Sequence, residues 1–168
     1  MFIKIIPNII ILTKLSLGIF SLLETINKNY FLAAIFILLA ALVNRYCGKI
    51  MRFFHMFSEL GIELDSLANL ISFGVAPGFF VFAKYNFAGN IGVALVLAYI
   101  IGGAYSLAKF NVNNTEGFFI GIPITVAGFM IALFSVVTNC NNISRLLLTI
   151  LMAVLTYLMV TKNKFRRI

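Results

Sequence analysis

Apolar residues run along this chain in blocks of about twenty, separated by short polar clusters. The stretches 30–43 and 91–104 contain no charged residue at all. Blocks of that length predict helices that cross a bilayer, since a hydrocarbon core of about 30 Å needs about 20 residues at about 1.5 Å each. Six such helices are expected, at roughly 8–27, 30–53, 60–83, 89–110, 119–138 and 143–161. Turn-tolerant residues gather between them, at 86–90, 111–117 and 139–142. The second block ends on Asn44, Arg45, Lys49 and Arg52, so its last turns are expected to project past the hydrocarbon. No repeat or low-complexity segment interrupts the pattern, and six spans leave no room for a second domain. The expected fold is all-α, a single transmembrane domain over residues 1–168.

Composition agrees with this pattern. The chain is 62% hydrophobic with a mean hydropathy of +1.06, outside the range of soluble domains. Charge then sets an orientation. Six spans put both termini on one side with the 2–3 and 4–5 connections, and that side carries Lys4, Lys14, Arg45, Lys49, Arg52, Lys109, Lys162, Lys164, Arg166 and Arg167. Lys28, Lys84 and Arg145 fall on the other side. Ten against three predicts cytoplasmic N- and C-termini, and the expected location is the cell (inner, cytoplasmic) membrane. The net charge of +8 is accounted for by orientation and anionic lipid, and no nucleic-acid partner is implied. Lys4 precedes the first apolar run, but no small-residue cleavage site follows, so the run is read as the first helix of the mature protein. Cys47 and Cys140 fall on opposite membrane faces, which excludes a disulfide between them.

Candidate chemistry lies between positions 44 and 69. At about 100° per residue, Asn44, Cys47, Gly48, Met51 and Arg52 share an arc of about 140°. On the next helix Gly61, Asp65 and Asn69 stand in one column at i, i+4, i+8, and Asp65 is the chain's one aspartate. Two such faces meeting across a turn make a cleft with small residues where a ligand can approach.

This layout resembles the CDP-alcohol phosphatidyltransferases, whose signature is D-x-x-D-G-x-x-A-R followed by G-x-x-x-D-x-x-x-D. Gly48, Arg52, Gly61 and Asp65 match in register. Asn44, Cys47 and Asn69 stand where the family has aspartates, and Met51 where it has alanine. Further segments, Pro7 and Asn8 with Gly18, ELDSLANLISFGVAP at 63–77, LAKFN at 107–111, FFIGIPITVAG at 118–128 and YLMVTKNKF at 157–165, are similar to the bacterial-type phosphatidylserine synthases within that family. The resemblance implies phosphatidyl transfer from CDP-diacylglycerol to L-serine, giving phosphatidylserine and CMP, in a homodimer whose cleft faces the cytoplasm. It implies two divalent ions, Mg²⁺ or Mn²⁺, held by four carboxylates, the last of which also takes the serine proton. Gly48, Arg52 and Gly61 are then nucleotide-binding with Met51 intruding, Asn69 holds the general-base position, and Ser106 and Lys109 lie on the acceptor side.

Against that pattern the chain brings one carboxylate where the family has four. Neutral amides do not compensate two 2+ ions, and a thiol suits soft metals rather than Mg²⁺. Cys47 is therefore expected to fill space as a small buried thiol. Glu63, about 200° around the helix from Asp65, is expected with Glu59 on a solvated rim. Ile11 and Lys14 replace the family's threonine and asparagine in the first helix, and Ser106 replaces an arginine. The phenylalanines are read as lipid-facing or core filling, Gly102, Gly103, Gly121 and Gly128 as close-packing positions, and His55 as a residue at headgroup level. The expected protein is a phosphatidylserine synthase homologue with activity absent or strongly impaired; the alternative is a non-catalytic lipid-binding or scaffold member of the same fold. A transport path is disfavoured because the charges gather at the membrane edges.

Overall fold

The computed structural model describes residues 5–53, 59–87, 89–112, 118–161 and 164–166. Among the described residues the regular elements are helices apart from one three-residue antiparallel pair. Helices α1 (Ile5–Ile26) and α2 (Tyr30–Phe53) form an antiparallel hairpin. It turns at Lys28, whose φ is 62°, and Asn29 Nδ2 donates to Glu24 Oε2 at 2.7 Å. Then follow α3 (Glu59–Leu70), a π turn (Ile71–Val75), α4 (Ala76–Lys84), α5 (Asn90–Val112), β1 (Phe118–Ile120), α6 (Ile124–Val137), α7 (Asn142–Val160) and β2 (Lys164–Arg166).

Large apolar side chains such as Phe31, Ile101, Leu146 and Tyr157 are more than half exposed, while Lys14, Ser21, Asn69 and Ser72 are buried. Exposed apolar surface of this extent suits a lipid solvent. Among the described residues five helical stretches are long and apolar enough to span: Pro7–Ile26, Tyr30–Lys49, Leu60–Lys84, Asn90–Val112 and Asn142–Val160. The span expected at 119–138 takes a different form. Gly121 has φ +86°, Pro123 is extended, and the helix begins only at Ile124. Its 14 residues reach about 21 Å. Ahead of it Phe118 pairs with Arg166, Phe119 with Phe165 and Ile120 with Lys164.

The third span is continuous but not uniform. Pro77 has no N–H to return to the carbonyl of Phe73 four residues earlier. The backbone widens into the π turn just before it, and the buried Tyr99 hydroxyl of α5 donates to that Phe73 carbonyl at 2.7 Å. Two helices cross this turn closely. A Cβ at Gly18 of α1 would stand 2.5 Å from Ser72 Oγ, and one at Gly128 of α6 would stand 2.8 Å from the Phe73 carbonyl oxygen. Gly103 faces the Ile124 side chain as closely, and Gly102 approaches Thr156 less tightly, a Cβ there standing 3.2 Å from its methyl carbon, so these glycines serve packing, as the sequence suggests.

At the far end of the third span, Lys84 donates to the carbonyl of Ser135, and its Nζ lies 3.5 Å from that of Thr138. A cation at the carbonyl end of α6 complements both its unpaired acceptors and its dipole.

Candidate functional site

The first half of α1, the last half of α2 and the start of α3 meet at one end of the bundle. Helical spacing puts Asp65 and Asn69 one turn apart on α3, and α2 brings Asn44 opposite them. The point on which their oxygens converge is held by a side chain of α1. Lys14 Nζ donates to Asp65 Oδ1 at 2.5 Å, Asn69 Oδ1 at 2.7 Å and Asn44 Oδ1 at 3.0 Å. An ammonium has three N–H groups, and three oxygens take them. Asn69 Nδ2 in turn donates to Asp65 Oδ2 at 2.9 Å, and Ser72 Oγ, on the π turn, donates to the backbone carbonyl of Lys14 at 3.1 Å. The Lys14 side chain is 0% exposed while Asp65 is 29% exposed, so the pair opens outward on the Asp65 side.

This geometry changes one sequence reading. Lys14 is a buried partner of Asp65 rather than a solvated charge, and without it the orienting count is nine against three. Sequence reasoning treated Lys14 as a departure in the first helix and missed its place in the site. A single lysine well inside an apolar block, opposite a cluster that has lost its anions, was the available signal.

The remaining site residues divide. Cys47 is 1% exposed and lies in an apolar cluster with Ile11 and Ala68, as expected of a space-filling thiol; Cys140 is exposed. Gly48 is half-buried and Gly61 buried on the cleft-facing segments of α2 and α3. Met51 and Arg52 continue α2, but their side chains lie outside the described residues, as does His55. Glu63 is exposed, as a rim position requires, and the side chain of Glu59 is likewise outside the described residues. On α5, Ser106 is 7% exposed, and Lys109 Nζ is buried without a hydrogen-bond partner among the described residues. Two residues on, Asn111 Nδ2 donates to Ser66 Oγ at 2.9 Å, which docks the end of α5 beside Asp65.

The sequence profile of the CDP-alcohol phosphatidyltransferases matches residues 4–161, nearly the whole chain. The chain belongs to this family. Among relatives of this CDP-alcohol phosphatidyltransferase homologue, a Bacillus subtilis protein named CDP-diacylglycerol–serine O-phosphatidyltransferase is 34% identical over 163 residues, covering 95% of this chain and 89% of the relative. Proteins of the same name from Helicobacter pylori and Methanocaldococcus jannaschii are 33% and 31% identical, each over 138 residues, covering 79% and 80% of this chain. The chain spans 58% of the Helicobacter pylori relative's length and 64% of the Methanocaldococcus jannaschii one. This is therefore a membrane protein of the phosphatidyltransferase family with phosphatidylserine synthases as homologues.

The divalent ions that membership implies do not fit the donor set of this family member. Among the described residues, Asp65 is the one carboxylate at the convergence point, its partners there are two amides, and a lysine nitrogen stands among them. Among the described residues, no three His, Cys, Asp or Glu side chains are placed to hold a metal. Mg²⁺ asks for oxygens at about 2.0–2.1 Å in an anionic shell, whereas these oxygens stand at ammonium distances.

Proposed function

We propose that this protein is a phosphatidylserine synthase homologue that keeps the family's lipid–nucleotide cleft and has little or no transferase turnover. The observation that carries the reading is the Lys14 ammonium bonded to the oxygens of Asn44, Asp65 and Asn69. Asn69, at the position of the family's general base, has no basic atom near neutral pH; its Oδ1 already accepts from Lys14 and its Nδ2 already donates. The cleft's other parts support retained binding. Gly48 and Gly61 stand at the family's glycine positions on α2 and α3, Arg52 at its arginine position would supply a cation for the pyrophosphate of CDP-diacylglycerol, and Ser106 and Lys109 provide an acceptor side where the buried Lys109 ammonium suits the carboxylate of L-serine or the headgroup of phosphatidylserine. Cytoplasmic termini, a cleft facing the cytoplasm of the cell membrane, one transmembrane domain over 1–168 and a homodimer complete the reading. The scaffold alternative differs in one respect, the absence of any turnover, and the lack of a free base in the column favours it over weak catalysis.

The test is CMP release by the purified protein in detergent with CDP-diacylglycerol, L-serine and Mn²⁺, beside the Bacillus subtilis relative. The expected rate is lower by a factor on the order of 10³ or more, because Lewis-acid stabilisation contributes several kcal/mol. Comparable rates for the two proteins overturn the proposal.

A further inference from the structure

We propose that Lys14 is the resident cation of this cleft, a tethered ammonium in the place where the family implies metal ions, and that residues 11, 14, 44, 47 and 69 form one interdependent set. The inference rests on the reading of this cleft as the family's metal-binding one, and it concerns what fills the cleft rather than turnover.

Charge gives the first argument. Asp65 and Lys14 sum to zero, and both side chains reach the same point. A divalent ion brought there meets the ammonium at contact distance and finds one carboxylate already paired. Orientation gives the second. Asn69 turns its Oδ1 to Lys14 because its Nδ2 is committed to Asp65 Oδ2. An aspartate at 69 replaces that donor with an oxygen facing another carboxylate, so asparagine is the residue the ammonium arrangement requires. Packing gives the third. Ile11, one turn before Lys14, shares a buried cluster with Cys47 and Ala68, and an aspartate at 47 sets a carboxylate against that isoleucine. One polar cluster around Lys14 and one apolar cluster around Ile11 thus contain five of the positions at which this chain departs from its family, 14, 44 and 69 in the first and 11 and 47 in the second. Lys14 is also fixed from behind, where Ser72 Oγ holds its carbonyl and Gly18 lets α1 approach Ser72 closely.

The experiment reads thermal unfolding and Mn²⁺ electron paramagnetic resonance of the purified full chain in detergent. In the unaltered protein, millimolar Mn²⁺ leaves the melting temperature unchanged and EPR shows no bound ion. Lys14→Met and Asp65→Asn each lower the melting temperature by about 6 °C or more, because each leaves one buried charge without its partner. The double variant regains more than half of that loss. If the single variants do not fold, the double variant still does. Mn²⁺ bound by the unaltered chain with a raised melting temperature overturns the proposal. So does a Lys14→Met protein that melts with the parent, or a double variant as unstable as the sum of its singles. CMP release by the parent overturns the low-turnover reading and leaves these melting results untouched, so the two failures are separable.

Discussion

At Asn69 a single nitrogen separates two electrostatic arrangements. Its Nδ2 bonds Asp65 while its Oδ1 bonds Lys14, so Asn69→Asp alone sets two carboxylates against each other. The expected result is a loss of about 1–3 kcal/mol in unfolding free energy, measured by denaturant or thermal melting, with no gain of transferase activity. Restoring carboxylates at 44, 47 and 69 with Met51→Ala is expected to stay inactive while Lys14 and Ile11 remain. Adding Lys14→Asn and Ile11→Thr is expected to produce serine- and Mn²⁺-dependent CMP release where each subset gives almost none, since ligands of one site act as a unit. An active fourfold variant with Lys14 in place contradicts this. The column of Gly61, Asp65 and Asn69 was legible in the sequence because helical spacing is fixed by backbone geometry. The role of Lys14 was legible only in part: its place within an apolar block was a signal, but a lysine two turns into a span can also reach the interface as an orienting charge, and tertiary packing alone decides which way it faces.

Among the helical elements, the third span shows how a proline enters a membrane helix without breaking it. Pro77 removes one donor, the π turn shifts the register, and the Tyr99 hydroxyl bonds the Phe73 carbonyl from α5. Tyr99→Phe is expected to cost about 1–3 kcal/mol of stability, the penalty for a buried acceptor losing a partner, with no effect on lipid binding; an unchanged melting curve argues against this role. Gly18→Ala forces a Cβ to 2.5 Å from Ser72 Oγ and 2.8 Å from Ser72 Cα. It is expected to destabilise by about 1–3 kcal/mol and to loosen the Ser72 bond to Lys14 together with the packing. The continuous span at 60–83 could be read from hydropathy, which is blind to a change of helical register. The expected span at 119–138 shortened for a different reason: hydropathy cannot see that Gly121 adopts positive φ and that the chain pairs as a strand before α6 begins.

For the molecule as a whole, the two cysteines report orientation. Cys140 is exposed and Cys47 buried, and Cys140 Sγ lies 3.2 Å from the Lys84 carbonyl in the connection between α6 and α7. With cytoplasmic termini, an impermeant maleimide applied to intact cells modifies Cys140 and spares Cys47. Modification of Cys140 only after the membrane is opened reverses the orientation.

The brevity of α6 also reaches beyond the protein. A helix of about 21 Å, closed at its carbonyl end by the Lys84 cation, faces lipid through Val126, Phe129, Met130 and Leu133 beside neighbours built for a thicker layer. The acyl chains on that flank must compress or tilt to keep the cation near the headgroups, at a fraction of a kcal/mol per Å of mismatch. Reconstituted into phosphatidylcholines of graded chain length, the protein is therefore expected to be most heat-resistant in the shorter ones and to gather in the thinner regions of a mixed bilayer.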